Sequence, residues 1–221
     1  MLRQRLLIAA ILVPVFLWVI QLGGWLYIGL VMAMLTIGTW EFKRISGVAD
    51  VRHSTWISFI GVWALAAAVA FNNGYWMAPI VVALLLCATA WHVFAFETGS
   101  HSPLQDWAVT LAAPVYLGGL GGHLLALRLL PDGAWWTLTV LPAMWISDTG
   151  AYAIGSWLGR SPMAPRTSPK KTWEGFIGGV LTGVVFGGVL AEIWRRVGGV
   201  SPEVLGWREG VLIGVLVALA G

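Results

Sequence analysis

The sequence predicts an all-α fold, a polytopic transmembrane helical bundle with about seven complete membrane segments and a truncated eighth. Of the 221 residues, 58% are hydrophobic and only 10% are charged, whereas soluble domains carry about 25% charged residues. The mean hydropathy is +0.82. No alternating strand pattern recurs along the chain, and helices satisfy their own backbone groups in lipid. These observations exclude an ordinary soluble globule.

Eight apolar runs define the predicted helices. A helix needs about 20 residues to cross the hydrocarbon core, so the first two runs are short, and we expect a tight hairpin through Gly23 and Gly24. The glycine-rich residues 118–122 predict a kink in the fifth run, facing a cavity. The last run stops at Gly221, which we interpret as truncation. The runs lie at residues 6–20, 25–39, 55–71, 78–96, 108–130, 134–154, 176–194 and 205–221.

The basic residues predict the orientation of the chain. Lys and Arg are enriched in cytoplasmic loops, and a cytoplasmic N-terminus places nine of the 13 inside. Four lie outside, namely Arg128, Arg195, Arg196 and Arg208. We expect one integral-membrane domain over residues 1–221. Its parts are an N-terminal hairpin and cytoplasmic loop (1–53), middle helices (54–133), a helix pair with its loop (134–194) and a last segment (195–221).

Asp148 is the most informative single residue. It lies inside the sixth apolar run, where a lone carboxylate is costly unless it is paired, solvated or bound to a cation. On a helix it shares one face with Trp145, Tyr152 and Gly155, and we expect this face to line a cavity. A metal ligand, a transport carboxylate, an ion pair with a nearby lysine and a neutral buried acid all fit the residue type.

Residues 168–175 are predicted to begin the next helix. Ser168 suits the N-cap and Pro169 the first helical position. Lys170 and Lys171 would then lie in the first turn, where the helix dipole disfavours cations. A bound phosphate would remove this conflict, because free N–H groups and lysines together hold anions. The alternative is a basic anchor that contacts lipid headgroups.

Other polar residues give weaker signals. Glu174 could pair with Lys170 or hold a cation, and Arg160 adds positive charge to the same loop. The four histidines lie in different segments without ligand spacing, so we expect packed or interfacial side chains. Glu97 and Asp106 are expected in a solvated loop. Glycines at near-helical spacing predict close helix contacts, at Gly175, Gly178, Gly179, Gly183, Gly187 and Gly188.

The motifs resemble those of the phosphatidate cytidylyltransferases (CDP-diacylglycerol synthases). The resemblance rests on W-x-x-D-T-G-A-Y-x-x-G at Trp145–Gly155, L-G-R at Leu158–Arg160 and A-P-x-x-S-P-K-K-T-W-E-G-x-x-G-G at Ala164–Gly179. It implies that phosphatidate attacks the α-phosphate of CTP with the help of Mg²⁺. It also implies a bacterial inner-membrane location, a homodimer and no nucleic-acid partner.

The resemblance also implies the roles of individual residues. Asp148 would bind the metal and act in catalysis with Lys170 and Lys171. Substrate binding would fall to Tyr152, Arg160, Ser168, Thr172 and Glu174. Two features depart from the family pattern: Gly155-Ser156 stands where Gly-Arg is usual, and the family's C-terminal signature, with its second metal-binding aspartate, does not occur before Gly221.

Two other classes of function compete with this interpretation. In an ion-coupled transporter, Asp148 would be the coupling carboxylate and the glycine-rich helices would be broken. The basic stretch from Ser168 to Glu174 has no evident role in transport and suits nucleotide phosphates. An inactive scaffold or fragment of the same family is the third reading, since the C-terminal signature is missing.

Overall fold

The computed structural model describes residues 2–48, 51, 53–71, 74–99, 102–201 and 203–221. The chain divides into two compact units, Met1–Leu130 (unit 1) and Pro131–Gly221 (unit 2). All eight predicted apolar runs are helical, because apolar sequence in lipid has to satisfy its backbone groups within one segment. The all-α membrane fold is therefore confirmed. The single domain over residues 1–221 stays a prediction.

Unit 1 contains six α-helices among its described residues. Gly23 and Gly24 have φ angles of +64° and +55°, in the left-handed region that glycine adopts without strain. A tight turn thus separates the first two helices at the predicted place. The helices are α1 (Leu2–Leu22), α2 (Gly24–Val48), α3 (Thr55–Phe71), α4 (Met77–Glu97), α5 (Pro103–Ala113) and α6 (Gly121–Leu129), with a π-helical turn (Pro114–Leu120) between the last two.

Arg128 closes the C-terminal end of α1. Its Nε donates to the main-chain oxygen of Ile20 at 2.7 Å, and its Nη2 donates to that of Gln21 at 3.2 Å. A guanidinium at a helix C-terminus satisfies carbonyl groups that have no partner in the helix. The position of Arg128 outside the predicted cytoplasmic loops therefore has a structural reason.

The predicted break in the fifth run is confirmed, but its direction was wrong. Pro114 has no N–H to donate, and the chain continues as the π-helical turn before α6 begins. A Cβ atom built on Gly118 would lie 2.6 Å from the main-chain oxygen of Val62, and one on Gly122 would lie 2.8 Å from the Cα of Ala66. The kink faces helix α3 rather than a cavity, since the glycines let the two backbones approach.

Unit 2 carries the motif residues. Its helices are α7 (Gly133–Leu158), α8 (Trp173–Gly198) and α9 (Trp207–Ala220), and a β-hairpin joins α7 to α8. The hairpin consists of β1 (Pro162–Ala164) and β2 (Ser168–Thr172), paired antiparallel with Pro162 opposite Thr172 and Ala164 opposite Ser168. Between α7, α8, α9 and the segment that joins α8 to α9 lies a small apolar core, made of Ala143, Ala191, Val200, Leu205 and Ile213.

Glycines let the helices of unit 2 approach each other closely. On α8, a Cβ at Gly175 would lie 2.8 Å from the oxygen of Ala151 on α7. Further along α8, a Cβ at Gly187 would overlap the main-chain oxygen of Gly210 on α9. The predicted small-residue contacts are confirmed, and they fix α8 against both neighbours.

Four helical stretches in the described part of the chain are long and apolar enough to cross a membrane. They are Gly24–Gly47, Met77–Glu97, Pro103–Leu129 and Trp173–Gly198. Helix α7 has the length, with 26 residues, but its sequence includes Asp148 and several Thr, Ser and Gly residues that lower its hydropathy. Of the two long helices in unit 2, α8 contains a stretch apolar enough to cross a membrane and α7 does not.

Candidate active site

The lysine pair lies on a strand, so the predicted helix start at Ser168 was wrong. Residues Ser168–Thr172 form β2, and α8 begins at Trp173. The N-cap is Thr172, whose Oγ1 accepts from the N–H of Gly175 at 3.2 Å. Ser168 and Pro169 fit a helix start by residue type, but in the structure they belong to the strand that pairs with β1. The two lysines therefore avoid the unfavourable end of the helix dipole.

The strand separates the two lysines. Successive side chains of a strand point to opposite faces, so Lys170 shares the face of Ser168 and Thr172 while Lys171 takes the other. Both lysines are exposed. The Nζ atom of Lys171 donates to the main-chain oxygen of Gly221 at 2.8 Å. The pair thus consists of two cations with different surroundings.

Asp148 and Lys171 meet around Gly221. A Cβ atom built on Gly221 would lie 3.2 Å from Oδ1 of Asp148, and the oxygen of the same glycine accepts from Lys171. Gly221, the C-cap of α9, thus lies near both a carboxylate of α7 and an ammonium of β2. The structure brings together one acid and one base that are 23 positions apart in the sequence.

The face of α7 around Asp148 is open. Asp148 and Tyr152 are both exposed, Tyr152 to 78%. Among the described residues, the ion pairs are Glu192 with Arg195 and with Arg196, so the paired-lysine alternative for Asp148 finds no support. Gly155, by contrast, faces the hairpin, where a Cβ would lie 3.2 Å from Thr172 Oγ1.

Glu174 closes the base of the hairpin. Its Oε2 accepts from the main-chain N–H groups of Arg160 and Ser161, each at 3.2 Å, and the N–H of Trp173 donates to the oxygen of Ser161 at 3.0 Å. The expected pairing of Glu174 with Lys170 is absent from the ion pairs of the described chain. Glu174 also lies in the first turn of α8, where an acid is favourable. Its role in this structure is to shape the loop.

Arg160 and Arg166 add exposed cations to the hairpin. Arg160 follows the end of α7, and its side chain is exposed; Arg166 lies in the turn between β1 and β2 and is also exposed. With Lys170 and Lys171 they give the hairpin four basic side chains within 12 residues. Such a surface attracts polyanions.

Ser147 is a site residue that the motif did not reveal. It is buried to 4% exposure, and its Oγ donates to the main-chain oxygen of Gly179 at 3.0 Å. The signal was the four-residue spacing of Ser147, Ala151 and Gly155 on α7, which matches Gly175 and Gly179 on α8. Small residues at that interval form close helix interfaces.

One of the predictions for the acidic and histidine residues of unit 1 was wrong. Glu97 is exposed as expected, but Asp106 is buried, with 3% exposure, in the first turn of α5. His92 is packed, as predicted, and its Nε2 lies 2.9 Å from Oγ1 of Thr110. The pattern of residues did not reveal that Asp106 and His92 share one buried polar cluster.

The donor set suits a magnesium ion that is carried by substrate phosphates. No group of three or more His, Cys, Asp or Glu side chains among the described residues could hold a metal alone. Asp148 contributes one exposed carboxylate. Because Mg²⁺ usually keeps several waters and binds through one or two carboxylates plus phosphates, a single carboxylate beside a basic strand fits this mode.

Comparison with known proteins gives consistent matches. The model of the cytidylyltransferase family matches residues 3–221. The phosphatidate cytidylyltransferase of Pseudomonas aeruginosa is 30% identical over 208 residues, covering 81% of this chain and 67% of that protein. That of Bacillus subtilis is 27% identical over 200 residues, covering 88% and 72%. That of Haemophilus influenzae is 28% identical over 204 residues, covering 84% and 71%.

Proposed function

The chain belongs to the cytidylyltransferase family, and on that premise we propose that unit 2 carries the site where CTP condenses with phosphatidate to CDP-diacylglycerol and diphosphate. One observation supports the placement: Asp148 of α7 and Lys171 of β2 both lie close to Gly221 at the end of α9. The protein is a membrane transferase of phospholipid biosynthesis. The transporter alternative loses its motivation, since the relatives carry the name of an enzyme.

The chemistry requires charge neutralisation and positioning more than covalent catalysis. A phosphate oxygen of phosphatidate attacks the α-phosphorus of CTP, the bond between the α- and β-phosphates breaks, and diphosphate leaves with the bonding electrons. The lipid is itself the nucleophile. The chain therefore needs no serine or cysteine nucleophile, and its task is to bring two polyanions together.

We assign the basic hairpin to the nucleotide. The Lys171 ammonium bonds to Gly221, which lies near Asp148, and there it would neutralise charge on the transferred phosphate. Lys170 lies on the other face of β2, with Ser168 and Thr172, and would contact the outer phosphates or the headgroup layer. Arg160, at the end of α7, adds positive charge at the base of the hairpin.

We assign the open face of α7 to the lipid and the metal. Asp148 would hold Mg²⁺, which supplies Lewis-acid neutralisation of phosphate charge when bound. Tyr152 lies one turn further along α7, exposed on the same face, and would contact the headgroup. Glu174 acts as a positioning residue, because it holds the main chain of Arg160 and Ser161.

We further propose the arrangement in the membrane. Helix α7, with 26 residues, has the length to cross the bilayer although its polar residues lower its hydropathy. Counting α7 and the two shorter apolar helices α1 and α3 with the four stretches named above gives seven segments, and the 14 residues of α9 form a partial eighth, short of the roughly 20 needed. The N-terminus and hairpin would lie on the cytoplasmic side of a bacterial inner membrane, where CTP is available, and the protein would form a homodimer.

The activity is tested directly with purified protein in detergent. Diphosphate release should require CTP, phosphatidate and Mg²⁺ together, and leaving out any one should abolish it. Folded protein that releases no diphosphate from the complete mixture would contradict the proposal. Equal release with phosphatidylcholine in place of phosphatidate would contradict the assignment of the lipid substrate.

A further inference from the structure

Unit 1 contains a cavity that the proposed activity does not use. Its volume is about 610 Å³, and it lies where α2 ends and α3 begins. The walls are mostly aromatic, and two side chains, Lys43 and His53, bring basic nitrogen atoms. The lining residues are Trp40, Lys43, His53, Ser54, Thr55, Trp56, Phe59 and Trp91.

The basic groups are held in place by aromatic rings. The Nζ atom of Lys43 lies 5.1 Å from the ring centroid of Trp40, within the range of a cation–π contact. The ring of His53 meets that of Phe42 edge to face, with centroids 6.2 Å apart. Burial lowers the pKa of His53, and the Lys43 ammonium lowers it further. At neutral pH, Lys43 therefore provides the charge and His53 a neutral ring.

Hydrogen bonds to α5 hold the segment that forms one wall of the cavity, which we call its floor. The main-chain N–H of Ser54 donates to Oγ1 of Thr110 at 2.9 Å, and Ser58 Oγ donates to the oxygen of Thr110 at 3.1 Å. His92 contacts the same Thr110 hydroxyl. These groups are all buried, so the segment that carries His53 and Ser54 is held against α5. A site with a fixed floor loses little entropy when a ligand binds.

We propose that this cavity binds the phosphate headgroup of an anionic phospholipid from the surrounding membrane. The aromatic walls fit the glycerol and the first methylenes of the chains, since indole rings favour the boundary between hydrocarbon and headgroups. Lys43 provides the cation for the phosphate. A zwitterionic lipid carries its own ammonium, which Lys43 repels, so charge selects the anionic class.

Tryptophans at a membrane boundary commonly form an aromatic belt without any bound ligand. The cavity differs from a plain belt because a cation lies within it and its floor is hydrogen-bonded. The site lies in unit 1 and takes no residue from the proposed active site. A failure of this proposal would therefore leave the assignment of Asp148 and Lys171 untouched.

The test titrates the purified full chain with phosphatidylglycerol or phosphatidylcholine of the same acyl composition. Bound lipids are counted by native mass spectrometry. Phosphatidylglycerol is used because it is not a substrate of the proposed reaction. The wild type should prefer it over phosphatidylcholine, and Lys43→Met should lower its affinity about fivefold, because Lys43 is the cation that lines the cavity and one Lys–phosphate attraction is of this size. Trp91→Leu, which changes only the wall, should weaken both lipids.

The matched control is Arg44→Met, the same change at the next residue, which is exposed and does not line the cavity. It should keep the wild-type preference. An unchanged preference in Lys43→Met, or an equal loss in Arg44→Met, would overturn the proposal. Displacement of phosphatidylglycerol by soluble glycerol 3-phosphate at equal concentration would overturn the claim that the bound phosphate belongs to a lipid.

Discussion

The hydroxyl of Ser147 donates to the main-chain oxygen of Gly179 at 3.0 Å, and this bond ties α7 to α8 one residue before Asp148. The bond is possible because Gly179 has no side chain: a Cβ there would lie 3.2 Å from the oxygen of Ser147. Because Ser147 precedes Asp148 on α7, we expect this bond to help fix the rotation of α7 and thereby the direction of the Asp148 carboxylate.

Ser147→Ala should reduce activity more than stability. A single interhelical hydrogen bond in a membrane protein is worth about 0.6 kcal/mol on average, so the midpoint of thermal unfolding should fall only slightly. The diphosphate release rate should fall several-fold, because Asp148 loses its fixed orientation. Ser156→Ala is the control: that exposed hydroxyl bonds only within its own helix, to Ala153. Equal effects of the two changes would contradict the orienting role of Ser147.

Asp148→Asn should abolish Mg²⁺-dependent diphosphate release, by at least about 100-fold, while membrane insertion stays intact. The amide keeps the size of the side chain and removes the charge that would hold the metal. The control is Asp132→Asn, the same change at the N-cap of α7. Asp132 has a φ of 57°, which asparagine tolerates. Wild-type turnover in Asp148→Asn would remove the metal role.

Lys171→Ala and Lys170→Ala should differ. Lys171 bonds to Gly221, which lies near Asp148. Its loss should therefore raise the apparent CTP requirement about tenfold and lower the maximal rate. Lys170→Ala should raise the CTP requirement less and leave the maximal rate nearly unchanged. CTP titrations of the release rate measure both quantities. Identical profiles would show that the two faces of β2 are equivalent.

Gly187→Ala should destabilise unit 2. The added methyl overlaps the main-chain oxygen of Gly210, and since both contacting surfaces are backbone, α8 and α9 have to move apart. Overpacking of this kind costs about 1–3 kcal/mol, which thermal unfolding in detergent would detect. Gly29→Ala on α2 has no neighbour within 4 Å of the new Cβ and should be neutral or slightly stabilising. Equal midpoints for the two variants would refute the close contact.

Glu174→Gln should loosen the base of the hairpin. Hydrogen bonds to a charged acceptor are about twice as strong as those to a neutral one, so the amides of Arg160 and Ser161 should exchange hydrogen several-fold faster. Hydrogen-exchange mass spectrometry of residues 159–175 measures this. Glu203→Gln, an exposed acid beyond α8, should leave the exchange of that peptide unchanged. Unaltered exchange in Glu174→Gln would mean that the backbone pairing alone holds the loop.

The helices were predictable because apolar runs of sufficient length have one way to satisfy their backbone in lipid. The β-hairpin was not. Ser168, Pro169 and Glu174 carry the residue types of a helix start, and local sequence does not show that Pro162–Ala164 will pair with this stretch. The unfavourable position of two lysines in a first helical turn was a sign that the predicted helix start was wrong. In the structure the two lysines lie on a strand, whereas we had expected a bound anion to stabilise them at a helix start.

Contacts between distant residues were the other gap. The motif indicated Asp148 and Lys171 but not their meeting at Gly221, because the position of α9 depends on glycine contacts with α8. The residues that flank Asp106 are typical of a loop, yet Asp106 is buried beside helices that are distant in sequence. Arg128 lies outside the predicted cytoplasmic loops. The structure explains its position by its hydrogen bonds to the main-chain oxygens of Ile20 and Gln21.

The closed base of the hairpin has a consequence for protein engineering. Because Glu174 and Trp173 fasten residues 160–161, the turn at residues 165–167 is a separate small loop whose ends are already held together. Lengthening a flexible loop costs little, about 0.6 kcal/mol for each doubling. A short epitope or a fluorophore-binding tag inserted after Arg166 would therefore show on which side of the membrane the hairpin lies, while the adjoining helices keep their positions.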